Sequence, residues 1–125
     1  MWTQFWDMHS GGRQKEKWSK IYIEAPEEVA QVIFFNRFGH SPERVTCTCC
    51  GEDYSISEYE TLEQASAYHR GCEYEADGNT VKESGPRHRT VEQYIAEGDA
   101  LVIQASEIDD EERVGEVPVQ GYVYA

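Results

Sequence analysis

The chain has 125 residues at 14.4 kDa, a length that closes around one core and excludes a multidomain enzyme. With 11 Lys and Arg against 24 Asp and Glu, its formal charge is −13 and its pI about 4.6, which disfavours loose attraction to nucleic acid or anionic lipid. Leu, Ile, Val and Phe supply only 23 residues, but three Trp, eight Tyr and four Phe make 15 large rings, enough for a small aromatic core, so the chain is read as folded.

Residues 2–8 and 18–24 both carry an extended pattern, the first alternating Trp2, Gln4, Trp6 and Met8 against Thr3, Phe5, Asp7 and His9, the second rich in β-formers at Ile21, Tyr22 and Ile23. The polar stretch Ser10-Gly11-Gly12-Arg13-Gln14-Lys15-Glu16-Lys17 between them predicts a hairpin with a long loop, its Gly pair allowing positive φ. Pro26-Glu27-Glu28 opens a helix: Pro presets φ, the acids complement the dipole, Val29, Val32, Ile33 and Phe38 follow helical spacing, and Gly39 stops it. Thr61-Leu62-Glu63-Gln64 is a capping box for a helix reaching Gly71, with Leu62, Ala65 and His69 on one face. Thr90-Val91-Glu92-Gln93 is a second box, for a short helix with Val91, Tyr94 and Ile95 inward and Gly98 at its end. Residues 101–105 and 117–124 read as strands around an acidic stretch. Strands and helices alternating irregularly with hairpin-like returns predict a single α+β domain over residues 1–125, with an antiparallel or mixed sheet and about three helices.

Residues 1–45 carry six basic and six acidic groups, residues 46–125 five and eighteen, so the net charge belongs to the second part. The N-terminal stretch has no basic n-region, no signal-length apolar run and no cleavage pattern, and no window approaches a membrane span, so a cytoplasmic protein is expected.

Cys47-x2-Cys50, separated by 18 residues from His69-x2-Cys72, has the ligand types and pairing of a tetrahedral zinc site. A knuckle at Cys47 and Cys50 closed by His69 and Cys72 would be structural, with no open position for water. Buried thiols are the competing expectation, a redox or disulfide role a third, and Cys49 can substitute for either member of the first pair.

His9, Ser10, Gly11, Gly12, Arg13 and Lys15, continuing to Lys17 and Lys20, form a basic glycine-containing island whose amides and cations suit a phosphate or carboxylate. Arg37, His40 and Arg44 form a second basic group and Arg87, His88 and Arg89 a third, and their convergence would make an anion pocket; a solvated hairpin loop is the plain alternative. Asp7, His9 and Ser10 are the residue types of a hydrolase triad, but three neighbours at one strand end lack the geometry, and GxSxG, P-loop and HExxH motifs are absent from the sequence, so no catalytic residue is assigned. Glu107, Asp109, Asp110, Glu111 and Glu112 offer an acidic partner-binding run, with a solvated loop as its ordinary explanation; Tyr122 and Tyr124 could anchor an interface.

Trp2-Thr3-Gln4-Phe5, Asp7-Met8-His9-Ser10-Gly11-Gly12, the stretch Phe38-Gly39-His40-Ser41-Pro42-Glu43-Arg44-Val45-Thr46-Cys47-Thr48-Cys49-Cys50-Gly51 and Gly115-Glu116-Val117-Pro118 resemble a family of small acidic proteins encoded by bacteriophages, particularly those of actinobacteria. The resemblance spans nearly the whole chain. It implies phage origin and a setting in the cytoplasm of an infected host, and it assigns no catalytic residues.

The leading functional expectation is a phage accessory protein that binds and inhibits a host or anti-phage defence protein, its acidic part steering the encounter and its aromatics anchoring it. The alternative is a protein that binds and sequesters a small anion or nucleotide at the basic loop; an enzyme acting on such a ligand is the third. Neither direct nucleic-acid binding nor membrane association is expected, and zinc is the one cofactor foreseen. Protein purified without chelator is expected to hold about one equivalent of zinc and to lose its fold on Cys50→Ser. A content below a few tenths of an equivalent would rule zinc out and leave buried thiols or a redox or disulfide role.

Overall fold

The computed structural model describes residues 1–46, 51–69, 72–74, 81–83 and 90–117. Its centre is a four-stranded mixed sheet built from β1 (Trp2–Asp7), β2 (Lys20–Ile23), β3 (Tyr54–Tyr59) and β6 (Ala100–Ile103), in the order β3-β1-β2-β6. β1 runs antiparallel to both neighbours, with Phe5 opposite Ile21 on one side and Ile56 on the other, while β2 and β6 are parallel. Three helices, α1 (Glu27–Phe38), α2 (Leu62–His69) and α3 (Val91–Ala96), complete the α+β architecture expected from sequence, and β4 (Cys72–Tyr74) pairs antiparallel with β5 (Val81–Glu83) in a separate two-stranded sheet. Among the described residues no helix is long and apolar enough to cross a membrane.

The two-residue strand period sends alternate side chains to opposite faces, and both faces are covered. One face carries Phe5, Ile21, Ile23, Tyr54 and Ile103, which pack with Ala30, Ile33 and Phe34 of α1. Phe34 is the hub: its ring lies 4.8 Å from Phe5, 4.7 Å from Phe38 and 5.0 Å from Tyr54, tilted or edge-on as aromatic quadrupoles prefer. On the other face Tyr22 and Ala100 meet Ala65 of α2 and Val91 of α3, flanked by Trp2, Tyr59 and Tyr94. Burial there, reinforced by the neighbouring Tyr94 and Tyr59, pushes the Tyr22 phenol far up.

Most elements stand where the sequence predicts them. α1 ends in the expected left-handed Gly39, φ 78°, whose N–H donates to the Phe35 carbonyl. Pro26 sits just before the first helical residue and has no side chain to cap with, so the Glu58 carboxylate of β3 accepts the Glu27 N–H at 2.7 Å instead. Both capping boxes form: Gln64 Oε1 accepts the Thr61 N–H at 3.3 Å, and Gln93 Oε1 the Thr90 N–H at 2.7 Å.

Three details depart from expectation. β3 is an additional strand. In α3 the buried side runs through Val91 and Tyr94, and because the helix is under two turns long, Ile95 on the far flank of Val91 is left 45% exposed rather than inward. Lys20 leaves the basic island altogether: strand alternation turns it to the α3 face, only 3% exposed, with Nζ 4.4 Å from the Trp6 ring centroid and 3.8 Å from that of Tyr94. The predicted strand over residues 117–124, with Tyr122 and Tyr124, lies outside the described residues save for Val117.

The acidic stretch after β6 is not a free loop. Ile108 is buried in the α1-side core, and two short 3₁₀ turns, Ala105–Glu107 and Asp110–Arg113, flank it. Glu107 Oε1 accepts the Gln104 N–H at 3.4 Å and Glu112 Oε1 the Asp109 N–H at 3.1 Å. Arg37 of α1 binds Glu112 Oε2 through Nε at 2.8 Å and the Glu107 carbonyl through Nη2 at 2.7 Å. The Arg37 hydrogen bond holds the Glu112 carboxyl below its usual value of 4.5. A depressed folded-state pKa contributes stability above the unfolded value and loses it as pH falls through the folded one. Glu112→Gln is therefore expected to lower the unfolding free energy by about 0.5 kcal/mol at neutral pH, the scale of a surface ion pair. In urea titrations that difference should vanish as the pH drops well below the ordinary carboxylate range.

Candidate functional site

The sheet end at which β1 stops and β3 begins gathers three segments: the β1–β2 loop, the turn after α1, and the stretch leading into β3. Asp7, the last residue of β1, is fully buried, and its two oxygens accept backbone N–H groups from His9 at 2.7 Å and Lys15 at 2.7 Å. A carboxylate holding two amides six residues apart folds the loop back on itself. His9 takes a left-handed φ of 54°, and Ser10–Gly12 form a 3₁₀ turn closed by Gly12 N–H to the His9 carbonyl at 2.7 Å. The Gly12 amide is thus spent on the turn rather than aimed at a ligand. Ser10 Oγ donates to the Gly51 carbonyl at 3.0 Å, tying the turn to the segment before β3.

On the β3 side, Asp53 is buried and organises its own loop. Oδ1 accepts the Thr46 N–H at 3.0 Å and Oδ2 the Thr46 hydroxyl at 2.9 Å, while its backbone N–H donates to the Arg44 carbonyl at 2.8 Å. The Met8 N–H then donates to the Asp53 carbonyl at 2.9 Å, docking the two loops side by side. His40, just past the α1 stop, packs edge-on to Phe34 at 5.4 Å and stacks over Tyr54 at 6.2 Å, with Nε2 3.0 Å from Glu16 Oε1. Burial, with the nearby charges of Asp7, Glu16 and Asp53, pushes the Tyr54 phenol far up, so it remains a neutral hydroxyl.

These contacts shape an open pocket of about 350 Å³ lined by Arg13, Gln14, Lys15, His40, Arg44, Thr46 and Asp53. Four of the residues expected for an anion site converge there: Arg13, Lys15, His40 and Arg44. Lys15 Nζ donates to the carbonyls of Ser10 at 2.5 Å and Arg13 at 2.6 Å, with a third N–H left over. Arg44 Nε is buried without a hydrogen-bond partner. Arg37 pairs with Glu112 and His40 with Glu16, and among the described residues none of the Arg13, Lys15 and Arg44 side chains joins a carboxylate.

The remaining expected residues are elsewhere. Arg37 is engaged in the Glu112 contact and does not line the pocket; His9, Ser10 and Gly12 shape the loop that carries Arg13 and Lys15, with Gly11 inside the turn. Lys17 is exposed at 5.9 Å from the Trp18 ring. Asp109, Asp110 and Glu111 are exposed on the turn beside α1 and do not line the pocket, while Glu107 and Glu112 close their own turns. The zinc ligand set falls outside what is described: Cys47 and Cys50 altogether, with Cys49, and the side chains of His69 and Cys72, which close α2 and open β4. Among the described residues no group of three or more His, Cys, Asp or Glu is placed to hold a metal ion. Arg87, His88 and Arg89 also lie outside the described residues.

Gln14, Thr46 and Asp53 are pocket residues that the sequence reading omits. The legible signal for Asp53 was the alternation Tyr-Ser-Ile-Ser-Glu-Tyr that follows it, which marks β3 and puts Asp53 at a strand end beside Asp7. No protein-family model, no curated protein and no solved structure matches the chain. Asp7→Asn, which leaves one acceptor oxygen for two amides and adds a donor facing one of them, is expected to cost about 1–3 kcal/mol in urea unfolding. Hydrogen exchange at the His9 and Lys15 amides should accelerate well beyond that of β1.

Proposed function

We propose that this protein is a small-anion-binding protein whose site is the pocket between Arg13, Lys15, His40 and Arg44. The observation that carries this reading is the convergence of three cations without a carboxylate partner in a chain of charge −13. Like charges held together repel, and acids abound to neutralise them, so an arrangement that leaves them unpaired in a cavity is suited to an external anion. Guanidinium forks and an ammonium match the oxygens of a phosphate or carboxylate. The volume lies at the small end of ligand pockets, in keeping with a metabolite or mononucleotide. Together with the resemblance to phage proteins, this supports a phage-encoded protein that sequesters such a ligand in the host cytoplasm.

A second reading, inhibition of a host or defence protein, is favoured by one observation: Asp109, Asp110 and Glu111 project from a turn that Arg37 and Asn36 hold against α1, an acidic patch on an ordered support. The two readings separate by mutation. Millimolar inorganic phosphate is expected to raise the melting temperature of the wild-type chain, with Arg13→Ala and Arg44→Ala each weakening the interaction about ten- to a hundredfold, as loss of a charge-assisted hydrogen bond does. Asp110→Lys with Glu111→Lys should leave that response intact. If the basic variants respond as wild type does while the acidic variant loses capture of a host protein, the second reading replaces the first.

A further inference from the structure

The pocket is not uniformly basic, and its two walls differ in hydrogen-bonding sense. Arg13, Lys15 and Arg44 supply only donors. On the other wall Thr46, itself buried, has committed its hydroxyl proton to Asp53 Oδ2 at 2.9 Å, so toward any further partner its oxygen can only accept. Each Asp53 oxygen takes one bond from Thr46 and retains a second lone pair. Gln14 spends a side-chain N–H on the Glu16 carbonyl at 2.8 Å, leaving its Oε1 able to accept. An anion that carries acceptors alone satisfies the first wall and confronts the second.

Charge points the same way. Arg13, Lys15 and Arg44 with the Asp53 carboxylate give the lining a formal charge of +2 apart from the imidazole, a match for the charge of about −1.5 to −2 that a phosphate monoester carries near neutrality. We infer that the ligand is a phosphate monoester bearing hydroxyl or amino donors, of sugar-phosphate or mononucleotide type, with its phosphate on Arg13, Lys15 and Arg44 and its donors read by Asp53 and Thr46. This rests on the anion-binding reading above and adds selectivity to it. A site with acceptors in place discriminates against analogues that leave them unpaired more strongly than an apolar pocket discriminates by size.

The test is calorimetric titration of the full chain with ribose 5-phosphate, with n-butyl phosphate, which has the same headgroup and no donors, and with inorganic phosphate. Ribose 5-phosphate is expected to bind at least about tenfold more tightly than n-butyl phosphate. Asp53→Asn, with its folding checked by circular dichroism, should shrink that ratio to within about threefold, since an amide presents a donor where the carboxylate accepts. Equal affinity of the two esters for the wild-type chain would overturn the selectivity inference and leave the anion site standing. An unchanged ratio in a folded Asp53→Asn variant would remove Asp53 from the reading of donors. Absence of binding by all three probes would overturn the anion site itself and this inference with it.

Discussion

The Asp7 carboxylate is the constraint on which the functional end of the molecule depends. It is buried, it terminates the central strand, and it holds the amides of His9 and Lys15 on its two oxygens. A buried carboxylate needs such donors to offset its desolvation, so the loop cannot swing away without leaving a charge stranded in the interior. With the loop folded back, Arg13 and Lys15 face Arg44 and His40, which come from a different segment. Asp53 performs the matching task on the adjacent strand, holding Thr46 and the Arg44 carbonyl. Two strand-end carboxylates thus build two loops, and the backbone bond from Met8 to Asp53 joins them.

The same use of acids recurs through the molecule. Glu58 caps α1, Glu24 accepts the Ala105 N–H at 2.9 Å, Asp99 accepts the Ser19 N–H and hydroxyl at 3.1 and 2.7 Å, and Glu107 and Glu112 close short turns. In a chain with few Leu and many Asp and Glu, carboxylates serve as acceptors for backbone amides and side-chain hydroxyls at the ends of elements. A consequence is that these acids are engaged by backbone and hydroxyl donors rather than by the cations of the pocket. Arg13, Lys15 and Arg44 remain uncommitted to carboxylates, even though acids outnumber bases about twofold.

The core explains why these loops are presented rigidly. Phe34 touches Phe5, Tyr54, Phe38 and His40, so one ring on α1 fixes both central and edge strands and orients the imidazole that lines the pocket. On the far side Tyr22, Val91 and the Lys20 contact with Trp6 and Tyr94 cover the sheet with α2 and α3. A sheet closed on both faces leaves its ends and loops as the place for a ligand, the usual division between scaffold and site.

Local chemistry was enough to read α1 from Pro26 to Gly39, both Thr-x-x-Gln caps and the β1–β2 hairpin, because each depends on residues within a few positions of one another. The basic character of Arg13, Lys15, His40 and Arg44 was legible for the same reason: an island of cations stands out in an acidic chain. What sequence could not supply was the sorting of those cations. Arg37 and Arg44 are seven residues apart, yet one is drawn to Glu112 on a turn anchored by Ile108 and the other to the pocket. Lys20 lies five residues beyond Lys15, yet strand alternation and two aromatic rings turn it to the other face. Nor could sequence show that Asp53 and Thr46 would face Arg13 and Lys15, a contact made only when β3 pairs with β1 across more than forty intervening residues. Propensity and capping act locally and are written along the chain; strand pairing and the choice of partner for a long charged side chain are decided by which surfaces the folded core brings together.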